Sequence, residues 1–245
     1  MTEAETTTEA KRLAALRSAD YVRDGMLVGL GSGSTAELAI AELGRRVASG
    51  LRFQGVPSSN RTRDLATGLG IPLVDLDRID RVDLVIDGAD EVDPRFSLIK
   101  GHGGALVREK LLAEAASRVV IVVDQTKLVE TLGRSPVPVE ILPFGWRQTL
   151  RRITAVGVTA APRMIAGALF VSDNGNYVAD CRLGEFRDSL TWHERLKRIT
   201  GVVETGIFVD LVDVLIVGTD RDVTVRENPA RGGAGRASVT DPYPA

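Results

Sequence analysis

Asp87-Gly88-Ala89-Asp90-Glu91-Val92-Asp93, followed after residues 94–99 by Lys100-Gly101-His102-Gly103-Gly104-Ala105-Leu106-Val107-Arg108-Glu109-Lys110, sets a dense island of charge between two apolar runs, 82–86 and 119–123. Both runs are short and apolar, the second made wholly of Val and Ile, and both read as buried strands. A carboxylate cluster at the carboxyl end of a buried strand occupies the edge where open α/β sheets hold their ligands. Lys100, a Gly-rich turn and a following helix bring a cation and unpaired N–H groups to that same edge. The stretch reads as an active site on a parallel sheet.

Its last acid is unusual. With residues 104–117 helical at 100° per residue, the neighbours within about 60° of Glu109 are Ala105, Leu106, Leu112, Ala113 and Ala116, all apolar. Lys110, Glu114 and Ser117 form a polar stripe to one side and Arg108 stands on the other, so Glu109 is expected to point inward. Burial raises a carboxyl pKa and makes a proton acceptor suited to neutral pH. A Glu that caps a backbone N–H or pairs with an Arg satisfies the same helix pattern, and the pattern leaves both readings open.

Upstream, residues 9–23 carry helical spacing up to the stop signal Asp24-Gly25, and 26–30 reads as a short strand. It runs into Gly31-Ser32-Gly33-Ser34-Thr35 and then a helix over 36–47. Strand, small-residue turn and helix start make an anion cradle of N–H groups and hydroxyls. A Walker A loop is excluded, because no Gly-Lys-Ser/Thr closes the turn. A dinucleotide fingerprint fits loosely as Gly31, Gly33 and Ala36, but the next strand, 51–56, ends in Pro57-Ser58-Ser59-Asn60 without an acid for a ribose hydroxyl. A structural turn and a site for a small phosphorylated metabolite remain, and the second is preferred. A helix to about 68, a segment over 73–76, and the strand over 119–123 closed by Asp124-Gln125-Thr126-Lys127 continue the alternation of strand and helix. The fold class expected is a mostly parallel Rossmann-like sheet with helices on both faces, with Lys127 at the same edge as Asp87.

Three prolines in residues 136–143 mark a crossing into another unit, placed near 131. A helix over 148–156, strands over 168–172 and 177–181, and a helix over 190–199 describe a small α+β module. Asp173-Asn174-Gly175-Asn176 is expected as a hairpin with a type I′ turn. Strands over 202–209 and 214–217 are expected to return to the first sheet. Trp192 and His193 read as helix surface or packing, and Cys181 as a buried small hydrophobe. The expected division is 1–131 with 206–225, then 132–205, with 226–245 as a mobile tail and the first ten residues frayed.

The 245 residues are 44% hydrophobic and 26% charged with a formal net charge of -2, which gives no electrostatic case for a nucleic-acid or anionic membrane partner. One cysteine and two histidines, His102 and His193, argue against a disulfide or a zinc centre and fit a reducing cytoplasm. The first residues lack the basic and apolar segments of a secretory signal, and no apolar run is long enough to span a bilayer.

Taken in order, Gly31-Ser32-Gly33-Ser34-Thr35, Asp87-Gly88-Ala89-Asp90-Glu91, Lys100-Gly101-His102-Gly103, Arg108-Glu109-Lys110, Asp173-Asn174-Gly175-Asn176 and Gly206-Ile207-Phe208 resemble ribose-5-phosphate isomerase of the A type over about residues 10–225. The resemblance implies a Rossmann-like domain with a smaller ferredoxin-like α+β domain and a homodimer or homotetramer. It implies cofactor-free, metal-free interconversion of ribose 5-phosphate and ribulose 5-phosphate. By position it implies Glu109 as general base, with Asp87, Asp90 and Lys100 as catalytic partners. Gly88, Ala89, Gly101, His102 and Gly103 then line the sugar site, Ser32, Gly33, Ser34, Thr35 and Lys127 bind substrate, and Lys11 is a weaker candidate for the phosphate. Two departures stand out: Ser32 replaces a frequent Thr, and His102 interrupts a run that is usually all Gly. Two other function classes compete, a non-catalytic sugar-phosphate sensor and an acyl-CoA transferase with Glu109 or Glu91 as nucleophile.

Overall fold

A computed structural model of the chain describes residues 3–231. Helix α1 (Glu3–Ser18) leads into β1 (Leu27–Leu30), α2 (Ser34–Ala48), β2 (Gln54–Pro57), α3 (Asn60–Gly68) and β3 (Leu84–Asp87). A short antiparallel pair, β4 (Glu91–Val92) and β5 (Leu98–Ile99), precedes α4 (Leu106–Ala115) and β6 (Val119–Asp124). Then come β7 (Val137–Ile141), α5 (Trp146–Ala155), β8 (Thr159–Pro162), β9 (Met164–Ile165), β10 (Ala168–Leu169), β11 (Tyr177–Arg182), α6 (Ser189–Lys197) and β12 (Val202–Thr205). The described chain closes with β13 (Ile207–Phe208), β14 (Val214–Gly218) and β15 (Val223–Glu227).

The main sheet has the order β15-β14-β6-β3-β1-β2 and is parallel except for β15. Its central strands are buried on both faces, which is why β6 is an unbroken Val/Ile run. One face buries Val28, Leu30, Val120, Val122 and Ile216 beneath Ala14 of α1 and Ile40 and Leu43 of α2. The other buries Val85, Ile121, Val123 and Leu215 beneath Leu112 and Ala113 of α4 and Ala116 just after it. Because β2 and β3 flank β1 on opposite sides, the carboxyl ends of β1 and β3 form the switch point where such sheets bind ligands. Gly31 and Asp87 stand there, with Gly31 N–H donating to Ile86 O at 2.9 Å. A Cβ on Gly31 would fall 2.1 Å from Asp87 Oδ1, so the close approach requires glycine.

The second sheet is antiparallel in the order β12-β7-β11-β8. With α5 between β7 and β8 and α6 between β11 and β12, it is the ferredoxin-like βαββαβ arrangement with the β9–β10 hairpin inserted. A small third sheet, β13-β5-β4, takes β4 and β5 from the connection between β3 and β6 and β13 from the connection between β12 and β14.

Several expectations are corrected. From Glu3 onward the supposed frayed start is α1, with Ala10 buried. The segment 73–76 makes only a single bridge, Leu73 to Gly55. Of 202–217, only β14 rejoins the main sheet, while β12 pairs with β7 and β13 with β5. The supposed tail begins too early: β15 extends to Glu227, and buried Asn228 donates to Val212 O at 2.8 Å. The remainder of that tail, 232–245, lies outside the described residues. Positive φ at both Ala166 and Gly167 puts the type I′ geometry in the β9–β10 turn. At 173–176 only Gly175 has positive φ, because Asn174 is held by Glu140 and Arg108. Among the described residues no helix is long and apolar enough to cross a membrane.

Candidate active site

At the switch point a cavity of about 100 Å³ is lined by Ser32 to Thr35, Gly88 to Asp90, Lys100, Gly101, Gly103, Glu109 and Lys127. Loops and the helices α2 and α4 meet there. Gly33, with φ of 97°, ends the β1 turn and leaves α2 without a side-chain cap, so the first N–H groups of α2 are available to an anion. Lys11 reaches over from α1, its Nζ donating to Ser34 Oγ at 3.1 Å. Lys127, in the 3₁₀ turn after β6, completes a cationic rim on that wall.

The opposite wall is acidic and buried. Lys100 Nζ lies 3.0 Å from Asp87 Oδ2 and 3.3 Å from Glu109 Oε2, and it donates to Gly88 O at 2.6 Å. The first two contacts are ion pairs between groups no more than 5% exposed. Beyond this contact with Lys100, Glu109 Oε2 has no hydrogen-bond partner among the described residues. Burial, opposed by Lys100 and reinforced by Asp87, pushes the Glu109 carboxyl up to about 8. Asp87 is likewise raised by burial against the pull of Lys100. Burial works against the Lys100 charge, but Asp87 and Glu109 outweigh it and hold the ammonium above the ordinary lysine range. The two carboxyls and the ammonium are thus coupled, and burial favours the protonated form of both acids.

The expected residues take different places. Asp87 is beneath the cavity, outside its wall: its Oδ1 accepts from Ser32 N–H at 3.1 Å and Gly88 N–H at 2.7 Å. Asp90 lines the cavity and accepts from His102 N–H at 3.0 Å. His102 does not line it; its ring turns outward between Pro136 O, 3.1 Å from Nε2, and Asp90 Oδ1, 3.3 Å from Nδ1. The positive φ values fall on Gly101 and Gly104, so a side chain at 102 meets no left-handed strain. The Ser32 hydroxyl is taken up by Ser58, Ser59 and Thr62 at 2.8, 2.9 and 3.2 Å, and braces the cradle. Glu91 is buried away from the site, accepting from Gly133 N–H at 2.8 Å and Ser135 N–H at 2.5 Å, which removes it as a nucleophile.

Lys110 corrects the polar-stripe reading of α4. It is buried, donating to Glu204 at 2.8 Å, Thr205 O at 2.8 Å and Ile207 O at 2.9 Å. Sequence reasoning also missed the second sheet's grip on the site: Arg108 donates to Asn174 Oδ1 at 2.8 Å and Asp173 O at 2.7 Å, and Asp173 caps Asn60 N–H at 2.7 Å. The polar turn 173–176 was visible as a motif; its partners were not, because they lie across the fold.

A family model described as ribose 5-phosphate isomerase A (phosphoriboisomerase A) matches residues 54–222. The ribose-5-phosphate isomerase A of Thermomicrobium roseum is 49% identical over 224 residues, covering 90% of this chain and 94% of that protein. A solved D-ribose-5-phosphate isomerase in complex with phospho-erythronic acid superposes with a TM-score of 0.87 at 37% identity, covering 90% of this chain and 99% of that one. The ribose 5-phosphate isomerase A of Methanocaldococcus jannaschii gives a TM-score of 0.86 at 37% identity, covering 91% and 100%. The chain therefore belongs to the ribose 5-phosphate isomerase A family.

Proposed function

We propose that this chain interconverts D-ribose 5-phosphate and D-ribulose 5-phosphate through an enediolate, with Glu109 as the base. The observation that carries the reading is a buried carboxyl pushed up to about 8, 3.3 Å from a buried ammonium and in the wall of a cavity whose other wall is an anion cradle. The phosphate sits on the α2 N-terminus with Ser34, Thr35, Lys127 and Lys11, leaving C1 and C2 toward Glu109. Ionised Glu109 takes the C2 proton of the open-chain aldose, and the electron pair forms the C1–C2 double bond as the aldehyde oxygen becomes negative. Lys100 holds that charge. Asp90 carries the O2 hydroxyl proton to O1, and Glu109 returns its proton to C1 to give the ketose. Asp87, below the floor, keeps Lys100 charged. Such chemistry needs a proton carrier matched to neutral pH, whereas a binding-only sensor has no use for a destabilising buried acid.

The catalytic unit in this proposal is 1–131 with 206–225, extended to 227, and 132–205 is the smaller unit. A cytoplasmic homodimer or homotetramer is part of the same reading; the 96% exposure of Phe144 supports a further contact, and light scattering of the purified chain checks it. The deciding assay is conversion of ribose 5-phosphate by the wild type and by Glu109→Gln. Conversion by the first and not the second is expected; equal rates, or none in the wild type, overturn the assignment.

A further inference from the structure

One side chain of the second sheet is built into the loop that carries Lys100. Arg163, between β8 and β9, donates from Nη1 to Gly101 O at 3.0 Å and to His102 O at 2.8 Å. Its other edge forks onto Asp180 of β11, with Nε donating to Oδ2 at 3.0 Å and Nη2 to Oδ1. The guanidinium lies 5.7 Å from the ring centroid of Phe170, and the side chain is 11% exposed. Phe170 in turn covers Gly104, where a Cβ would fall 2.3 Å from its Cζ. Arg163 is therefore held by Asp180 and Phe170 before it meets the loop.

What it does there follows from peptide geometry. A trans peptide points its C=O and N–H in opposite directions. Two successive carbonyls drawn to Arg163 turn the N–H groups of His102 and Gly103 away from it. The first of these is engaged: His102 N–H donates to Asp90 Oδ2. The second, Gly103 N–H, has no acceptor among the described residues, and Gly103 lines the cavity.

We propose that Arg163 is a positioning residue that fixes the orientation of two consecutive peptides, so that Asp90 is aimed by His102 N–H and Gly103 N–H is presented as a donor to the sugar oxygens. The nature of the sugar rests on the isomerase reading; the peptide geometry does not. Asp180 and Phe170 keep the guanidinium in place. Lysine has one charged tip and cannot hold two carbonyls and a carboxylate in this forked geometry.

The test compares wild type, Arg163→Met and Arg163→Lys, with rates expressed per folded protein. For Arg163→Met, kcat is expected to fall about 100-fold, as for a misaligned donor, while KM for ribose 5-phosphate moves less than about threefold because the phosphate cradle is untouched. Binding of phospho-erythronic acid, read by calorimetry, weakens about tenfold, the scale of one lost hydrogen bond to a charged group. Arg163→Lys recovers thermal stability but not kcat. A kcat within threefold of wild type in Arg163→Met, or full recovery of both properties by lysine, overturns the inference and assigns Arg163 a structural ion pair alone. The calorimetric arm decides the inference without turnover: weakened binding supports it and unchanged binding overturns it, so a wild type that binds the analogue but converts no sugar defeats the isomerase reading separately.

Discussion

Two buried lysines face the same aromatic ring. Lys100 Nζ lies 5.6 Å from the Phe208 centroid and Lys110 Nζ 4.7 Å from it, and each is at most 5% exposed. Lys110 has its donors matched by Glu204, Thr205 O and Ile207 O, which ties α4 to β12 and β13. Burial lowers its pKa and Glu204 works against that, and among the described residues none of the side chains that accept from it has a buried polar atom without a partner. Lys100 is confined between two carboxyls and a single carbonyl, opens on a cavity, and stands beside an acid with an orphaned oxygen. The same side chain at the same depth is cement in one setting and a charge reservoir in the other. The number of acceptors and the presence of a cavity make the difference.

The largest effect that separates the two is on turnover. Lys100→Met is expected to lower kcat about 1,000-fold, since an oxyanion partner is lost, while the fold persists at pH 6, where Asp87 and Glu109 can take up protons. A kcat within tenfold of wild type breaks the distinction. Lys110→Met should do the reverse. It leaves Glu204 less well paired and costs about 3 kcal/mol of stability in urea unfolding, with kcat per folded molecule within about threefold. Loss of kcat without loss of stability would place Lys110 in the catalytic machinery.

The pH dependence sharpens the contrast. With Glu109 as the base, its ionisation at about 8 is expected to make kcat/KM rise with pH through that value and level off above it. The stability change has the opposite sense. The folded carboxyl keeps its proton to a higher pH than the unfolded one at about 4.5, so its contribution is full below 4.5, falls between 4.5 and 8, and is flat beyond. Glu109→Gln should flatten that decline in urea midpoints measured from pH 5 to pH 9. An unchanged slope assigns the decline to Asp87. Smallest is the shared ring: Phe208→Leu removes the aromatic face from both ammonium groups and is expected to cost about 1–2 kcal/mol, with kcat reduced less than tenfold. A loss confined to either property would show that the ring serves only one lysine.

The sequence was legible where neighbours along the chain decide the outcome. Strand, Gly/Ser turn and helix at 27–48 follow from local pattern, and the apolar surroundings of Glu109 are a property of one helix. Lys110, on the same helix, was misread because its acceptors come from residues 204–207. Asp87 was correctly set at a strand end, but whether a strand-end carboxylate points into the cavity or below it depends on Gly31 approaching from β1. The turn at 173–176 has type I′ composition and departs from that geometry because Arg108 and Glu140 hold Asn174. These misses share a cause: a side chain's partner was supplied by a stretch distant along the chain.

The most direct test follows the proton itself. Ribose 5-phosphate is incubated in D₂O with wild type and with Glu109→Gln, and deuterium bonded to carbon is read by NMR. With Glu109 as the base, deuterium is expected on C2 of the recovered aldose phosphate and C1 of the ketose phosphate with wild type, because the Glu109 proton exchanges with solvent, and none with Glu109→Gln although phospho-erythronic acid still binds. Deuterium incorporation by Glu109→Gln at the wild-type rate would contradict that role.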